Sequence, residues 1–221
     1  MKVTYRRPQL HVTELGGKLS GFASISTSAL ANSYCLDRTR WARDTICAAC
    51  YARAALSGFR ACMAEPLAGN TARLKVPLDQ LDLPRVDGVV ALRFNSHGEL
   101  GSMWEFDNYV RIAAHNRHLH SALWTKRPEI VNEWMRWVRE QGLDEEDRDP
   151  GMGLILSSPR VGERVEGDAV PVWADHVYTV YEREEDFPKD AFPCHGRCRE
   201  CMICYDRHMD APMHIAALLH R

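Results

Sequence analysis

The residues that decide the fold run from Gly88 to Pro128: GVVALRF (88–94), NSHGELG (95–101), a segment from Ser102 to Arg117, HSALWT (120–125) and Lys126-Arg127-Pro128. Gly88–Phe94 is short, β-branched and bounded by turn residues, which predicts a buried strand. Trp104, Tyr109, Ile112 and Ala113 recur at helical spacing and predict a helix over Trp104–Arg117. His120–Thr125 is a second strand, and Pro128 opens a second helix whose apolar stripe is Ile130, Val131, Trp134, Trp137 and Val138. Further out, Gly153–Leu156 and His176–Tyr181 read as strands, and Lys18–Ser26 supplies an earlier one. Strand, loop, helix, strand in regular succession predicts βαβ units and a parallel sheet. The acidic Leu143–Pro150 stretch reads as a surface loop. The expected organisation is one α/β domain over residues 1–221, with a core from about 18 to 181 and a cysteine-bearing C-terminal segment from 188 to 221.

A chain of 221 residues has room for one sizeable core. A 45% hydrophobic and 26% charged composition excludes the disordered and collagenous classes. The 28 basic and 30 acidic residues leave a net charge of −2, which excludes a nucleic-acid-coating protein. The balance is uneven: residues 1–60 carry nine Lys and Arg against three Asp and Glu, and residues 143–186 carry four against thirteen. The basic first third is compatible with an anionic ligand, such as a small-molecule or nucleotide substrate. The longest uncharged stretch, Leu19–Leu36, is rich in Ser, Thr and Asn, so no membrane segment is expected. The opening MKVTYRRPQL lacks the apolar core of a secretory signal, and the expected compartment is the cytoplasm.

In a reducing compartment, clustered cysteines point to metal or cluster ligation rather than disulfides. The eight cysteines form two groups. Cys194-x3-Cys198-x2-Cys201-x2-Cys204 places four thiols within eleven residues. Structural zinc usually takes two CxxC knuckles further apart, whereas consecutive Cys-x2-Cys steps resemble the spacing that wraps an iron–sulfur cube. Iron–sulfur is the expectation and a closed zinc site its competitor. In the other group, Cys47-x2-Cys50 is flanked by Cys35, placed in a polar loop after the first strand, and by Cys62, either a fourth ligand or a buried thiol. Cys47–Leu56 reads as the start of a helix. Three ligands would leave one iron open to a cofactor or substrate; four would close the site.

Other polar residues fall at strand ends, the edge where parallel α/β folds bind ligands. Asn95, His97, Gly98 and Glu99 follow one strand; Gly98 permits a tight turn beside a ligand, and Glu99 suits an ammonium group. Lys126 and Arg127 follow the next and suit a carboxylate or phosphate. Ser157, Ser158 and Arg160 follow a third. Each is also ordinary for a solvated loop; their joint location with the first cysteine group argues for a site. No catalytic residue is assigned. Trp134 and Trp137 read as helix core rather than a base-stacking platform. His115, His118 and His120 lie along a helix end and a turn, without zinc spacing.

The combination of Cys47-x2-Cys50-Tyr51-Ala52, His97-Gly98-Glu99 and Trp124-Thr-Lys-Arg-Pro-Glu129 resembles a group of bacteriophage proteins of the gene-product-eighty-eight type. That group is itself similar to the radical S-adenosylmethionine superfamily. The resemblance covers about Cys35 to Cys204. It implies a partial (β/α) barrel with a cysteine-rich C-terminal extension, acting in the host cytoplasm. Cys35, Cys47 and Cys50 would match the loop that holds an open [4Fe-4S] cluster, and Gly98 and Glu99 the pair that orients the methionine amino group. Cys194, Cys198, Cys201 and Cys204 would hold an auxiliary cluster. In that family an external reductant drives cleavage of the cofactor's sulfonium and hydrogen abstraction from a substrate. The gap from Cys35 to Cys47 is longer than the family's Cys-x3-Cys-x2-Cys, a spacing found here in Cys194–Cys201. The alternatives are a non-catalytic iron–sulfur protein and a zinc-stapled binding module.

Overall fold

The computed structural model describes residues 1–4, 10–142, 149–207 and 212–219. Most of the acidic stretch read as a loop, residues 143–148, lies outside them, as do residues 208–211 and 220–221 of the C-terminal segment. The architecture is mixed α/β around an eight-stranded sheet with the order β2-β3-β5-β6-β7-β8-β10-β9. Its strands are β2 (Thr13–Glu14), β3 (Phe22–Ile25), β5 (Ala91–Phe94), β6 (His120–Thr125), β7 (Gly153–Ser157), β8 (His176–Tyr181), β9 (Phe192–Pro193) and β10 (Met213–Leu218). Every neighbouring pair is parallel except β2 with β3. A separate antiparallel pair joins β1 (Lys2–Thr4) to β4 (Arg85–Asp87).

The helices are α1 (Ser33–Trp41), α2 (Tyr51–Ser57), α3 (Ala64–Arg73), α4 (Met103–His115), α5 (Pro128–Glu140) and α6 (Cys198–Cys201). α4 begins at Ser102, whose hydroxyl caps the Glu105 N–H. α5 carries Pro128 in its first turn, where the missing N–H costs nothing. Both helices cover one face of the sheet, burying Leu92, Phe94, Leu123, Leu154 and Leu156 against Phe106, Tyr109, Ile112, Val131 and Trp134. Trp134 is core, edge-on to Phe106, and Trp137 packs edge-on against Trp104. Among the described residues no helix is long and apolar enough to cross a membrane.

The opposite face is covered differently. Phe22, Ala91, Ala122 and Ile155 form a smaller apolar layer with Tyr205, packed by Trp124, Tyr178, Cys198 and Cys204. The C-terminal cysteine run is therefore folded onto the sheet rather than appended to it.

Several expectations shift. The first parallel strand is Phe22–Ile25, since Gly17–Leu19 is a 3-10 turn. The strand expected over Gly88–Phe94 starts at Ala91; Gly88 has φ +77° and serves the turn from β4. The sheet also extends past residue 181, because β10 pairs along its whole length with β8.

Candidate functional site

Cys35 belongs to helix α1 rather than to a polar loop. Asn32 caps that helix, its Oδ1 accepting the Cys35 N–H at 3.2 Å, while its Nδ2 donates to the Glu99 carbonyl at 2.6 Å. Cys47 sits in the 3-10 turn Ile46–Ala49, so α2 starts four residues later than the expected helix, at Tyr51. That turn is tied to the end of β7 by Ile46 N–H donating to the Pro159 carbonyl at 2.9 Å and by the Arg160–Asp44 ion pair at 2.9 Å. Cys50 caps α2, and Tyr51 donates its hydroxyl to the Ser96 carbonyl at 2.8 Å. Three elements hung on the carboxyl ends of β5 and β7 thus bring three thiols to one edge.

The three share an electrostatic environment. Burial pushes the Cys35 thiol well above its ordinary range, Glu99, Cys50 and Cys47 push it the same way, and Lys126 opposes them. Burial also raises Cys47, with Lys126 opposing and Cys50 and Glu99 adding to the rise. Cys35 and Cys50 pack against the apolar cluster of Ala29, Ala52, Leu56 and Leu67. Cys62 is exposed on the turn Ala61–Met63, so it is not a buried thiol. All eight cysteines are free.

Glu99 is buried, and its carboxylate accepts three hydrogen bonds: from Thr125 Oγ1 at 2.7 Å, Lys126 N–H at 2.9 Å and Leu100 N–H at 2.9 Å. A carboxylate offers about four lone-pair sites, so these three bonds leave one unused. Gly98, at φ +79°, turns the chain against Thr27; a Cβ there would fall 2.2 Å from Thr27 Oγ1. The glycine is required by close packing of β5's end on β3's end, not by a ligand's approach.

Asn95 points inward. Its Oδ1 accepts from Tyr109 and Thr27, at 2.9 Å from the tyrosine hydroxyl, and its Nδ2 donates to Glu105 at 3.3 Å, at a strained φ of 52°. Arg127 is taken up by the Leu100 carbonyl at 2.9 Å, by Glu129 at 2.7 Å and by the Tyr34 ring beneath it. Neither side chain is directed at the thiols. The Lys126 charge opposes the rise of the Cys35 and Cys47 thiols, and His97, 6.0 Å from the Tyr51 ring, has a buried Nε2 without a partner; burial, then Arg60 and Arg93, push its pKa down to about 4.

The C-terminal run is ordered by several independent contacts. Cys194 N–H donates to the Ala216 carbonyl of β10 at 2.7 Å. Met202 takes the left-handed conformation at φ 53°, turning the chain between Cys201 and Cys204. The buried His176 ring lies 2.9 Å from the Ile203 carbonyl, and Gly153 leaves room for the Cys204 carbonyl, which would be 2.7 Å from a Cβ. Cys194, Cys198, Cys201 and Cys204 all line one cavity of about 220 Å³, with Phe192 and Ile215 among its apolar walls. Burial pushes Cys204 up to about 12, with Cys194 adding and Arg93 opposing. Among the described residues no three His, Cys, Asp or Glu side chains converge on a single-ion position.

Sequence reasoning gave no site role to Arg93, Trp124 and Tyr205, which lie together on the sheet face that carries the second cysteine group. The signal was present: a lone arginine inside an apolar strand and aromatic residues beside a cysteine. No protein-family model, curated protein or solved structure matches the chain.

Proposed function

We propose that this chain is an iron–sulfur protein on a partial (β/α) barrel, similar to radical S-adenosylmethionine enzymes of the bacteriophage type. One [4Fe-4S] cluster would be held by Cys35, Cys47 and Cys50 at the carboxyl edge of the sheet. A second would be held by Cys194, Cys198, Cys201 and Cys204. The carrying observation is that the last four thiols line one cavity of about 220 Å³. Four thiolates on one cavity can hold a single zinc or a polynuclear iron–sulfur group, and the consecutive Cys-x2-Cys steps favour the latter.

The first group supports an open site. Cys35, Cys47 and Cys50 act on one another electrostatically, Cys62 stands on a separate turn, and the Lys126 charge opposes the rise of Cys35 and Cys47. When bound, a cluster of this kind supplies one-electron chemistry. The protein's part is positional: Lys126 attracts the carboxylate of a bound cofactor, and Glu99 offers its remaining lone pair to an ammonium group.

One observation favours a non-catalytic iron–sulfur protein as the second reading. Glu99 already accepts three internal hydrogen bonds, which is sufficient reason for a buried carboxylate at that place.

Anaerobic purification with an iron and sulfide count tests the proposal, with broad absorbance in the blue expected. Colourless protein carrying stoichiometric zinc would overturn it in favour of the zinc-stapled module. Adding S-adenosylmethionine and a reductant separates the two iron–sulfur readings: 5′-deoxyadenosine is expected from the enzyme and none from an electron carrier or scaffold.

A further inference from the structure

Arg93 stands in β5 with Ala91, Phe22 and Ala122 on the same face of the sheet. Its guanidinium lies over the Trp124 ring, with Cζ 4.0 Å from the centroid, and Trp124 in turn meets Tyr205 edge-on at 5.8 Å. Arg93 Nε is buried without a hydrogen-bond partner, and among the described residues no carboxylate forms an ion pair with this arginine. The arginine is half-buried, and a permanent cation partly withdrawn from water with a buried, unpartnered Nε and no anion carries a cost. The aromatic face recovers only part of that cost.

Cys198 and Cys204 pack with Trp124 and Tyr205 in one cluster, and this is the same Trp124 on which the guanidinium rests, so the charge stands beside the second cysteine group. Lys18 joins it: its side chain lies 3.3 Å from the Cβ position of Gly196, and its charge acts on Cys198. As thiols these cysteines are neutral and leave the arginine unanswered. As four thiolates around a metal core they carry about two units of net negative charge. The lone cation and the missing anion then account for each other.

We propose that Arg93 is the built-in counter-charge of a metal-loaded Cys194–Cys204 centre, held in place by Trp124. The inference rests on the iron–sulfur reading above. It makes Arg93 a positioning residue rather than a ligand, and it assigns the centre an anionic resting charge.

The test uses the full chain with Cys35, Cys47 and Cys50 all changed to Ser, which removes the three thiols of the first group, reconstituted anaerobically with iron and sulfide. Adding Arg93→Met should speed loss of iron to a chelator at least tenfold and move the centre's reduction potential to more negative values, since a nearby cation favours the added electron. Arg93→Lys keeps the charge and loses the planar group stacked on Trp124, so it should fall between the parent and Arg93→Met. The metal-free Arg93→Met chain should melt no lower than the metal-free parent, because it has lost a half-buried charge that no anion pairs. Equal iron retention and potential in Arg93→Met would overturn the assignment. So would a metal-free Arg93→Met chain that is destabilised or unfolded, since Arg93 would then be structural. If inorganic phosphate raises the melting temperature of the metal-free parent but not of Arg93→Met, the anion comes from outside and the proposal fails. If the parent takes up no iron or sulfide, the iron–sulfur reading itself falls, a result distinct from all of these.

Discussion

Thr125 Oγ1 donates a 2.7 Å hydrogen bond to Glu99 Oε1, joining the ends of the adjacent parallel strands β6 and β5. The other carboxylate oxygen takes the Lys126 N–H, so Glu99 fixes the backbone on both sides of the strand pair. Glu99→Gln replaces one acceptor oxygen with a donor and leaves a buried N–H or hydroxyl without its partner. A loss of about 1–3 kcal/mol in urea denaturation is expected with no ligand present. Unchanged stability would mean that the carboxylate is not committed to this role.

Glu105 makes stability depend on pH. Burial pushes its carboxyl up to about 7, against hydrogen bonds from Gly101 N–H, Asn95 and Tyr109, with Glu99 adding to the rise. The folded chain therefore keeps a proton that the unfolded chain releases near pH 4.5. Its contribution is complete below that pH and is lost as pH rises to about 7, a fall on the order of 3 kcal/mol. His97, pushed down to about 4 by burial and two arginines, tilts part of the same window the opposite way. The Glu105 part is isolated by subtracting the stability–pH curve of Glu105→Gln from that of wild type. Parallel curves would show that Glu105 does not titrate in that range.

Gly153 offers a way to disturb the second cysteine group without touching a cysteine. A Cβ at that position would sit 2.7 Å from the Cys204 carbonyl oxygen. Gly153→Ala should push the 203–205 turn off β6 and β7 and lower metal retained per chain severalfold, while far-ultraviolet circular dichroism keeps the sheet signal. Full retention of metal would show that Cys204 tolerates displacement.

Cys201→Ser and Cys62→Ser should separate. Cys201 lines the cavity with the other three thiols, and a hydroxyl holds iron far less well than a thiolate. Iron per chain should fall, and the 194–207 segment should become sensitive to protease, because metal binding and local folding are coupled. Cys62 is exposed on its own turn, so its replacement should leave the iron content unchanged. Iron loss in Cys62→Ser would make it the fourth ligand of the first group.

The sequence by itself determined the local elements and their class. Short β-branched runs alternate with helices of apolar period, and Pro128 starts α5 where backbone chemistry permits it. The same reading placed Trp134 and Trp137 in the core, because helical spacing determines which side chains share a face. The two cysteine groups were legible from spacing, since chain distance limits how far apart nearby thiols can stand.

Tertiary structure decided what depends on contacts between distant segments. β10 pairs with β8 more than thirty residues earlier in the chain, and no local pattern specifies that partner. Gly98 answers to Thr27, Asn95 to Tyr109 and Glu99 to Thr125, so residues legible as polar strand ends became internal fastenings once their strands met. Arg93 is the sharpest case: in sequence it is one charge in an apolar strand, and only folding brings Trp124 beneath it and the thiols of Cys198 and Cys204 beside it. Composition and period act within a few residues, whereas the environment of a charge is set by whatever the rest of the chain packs around it.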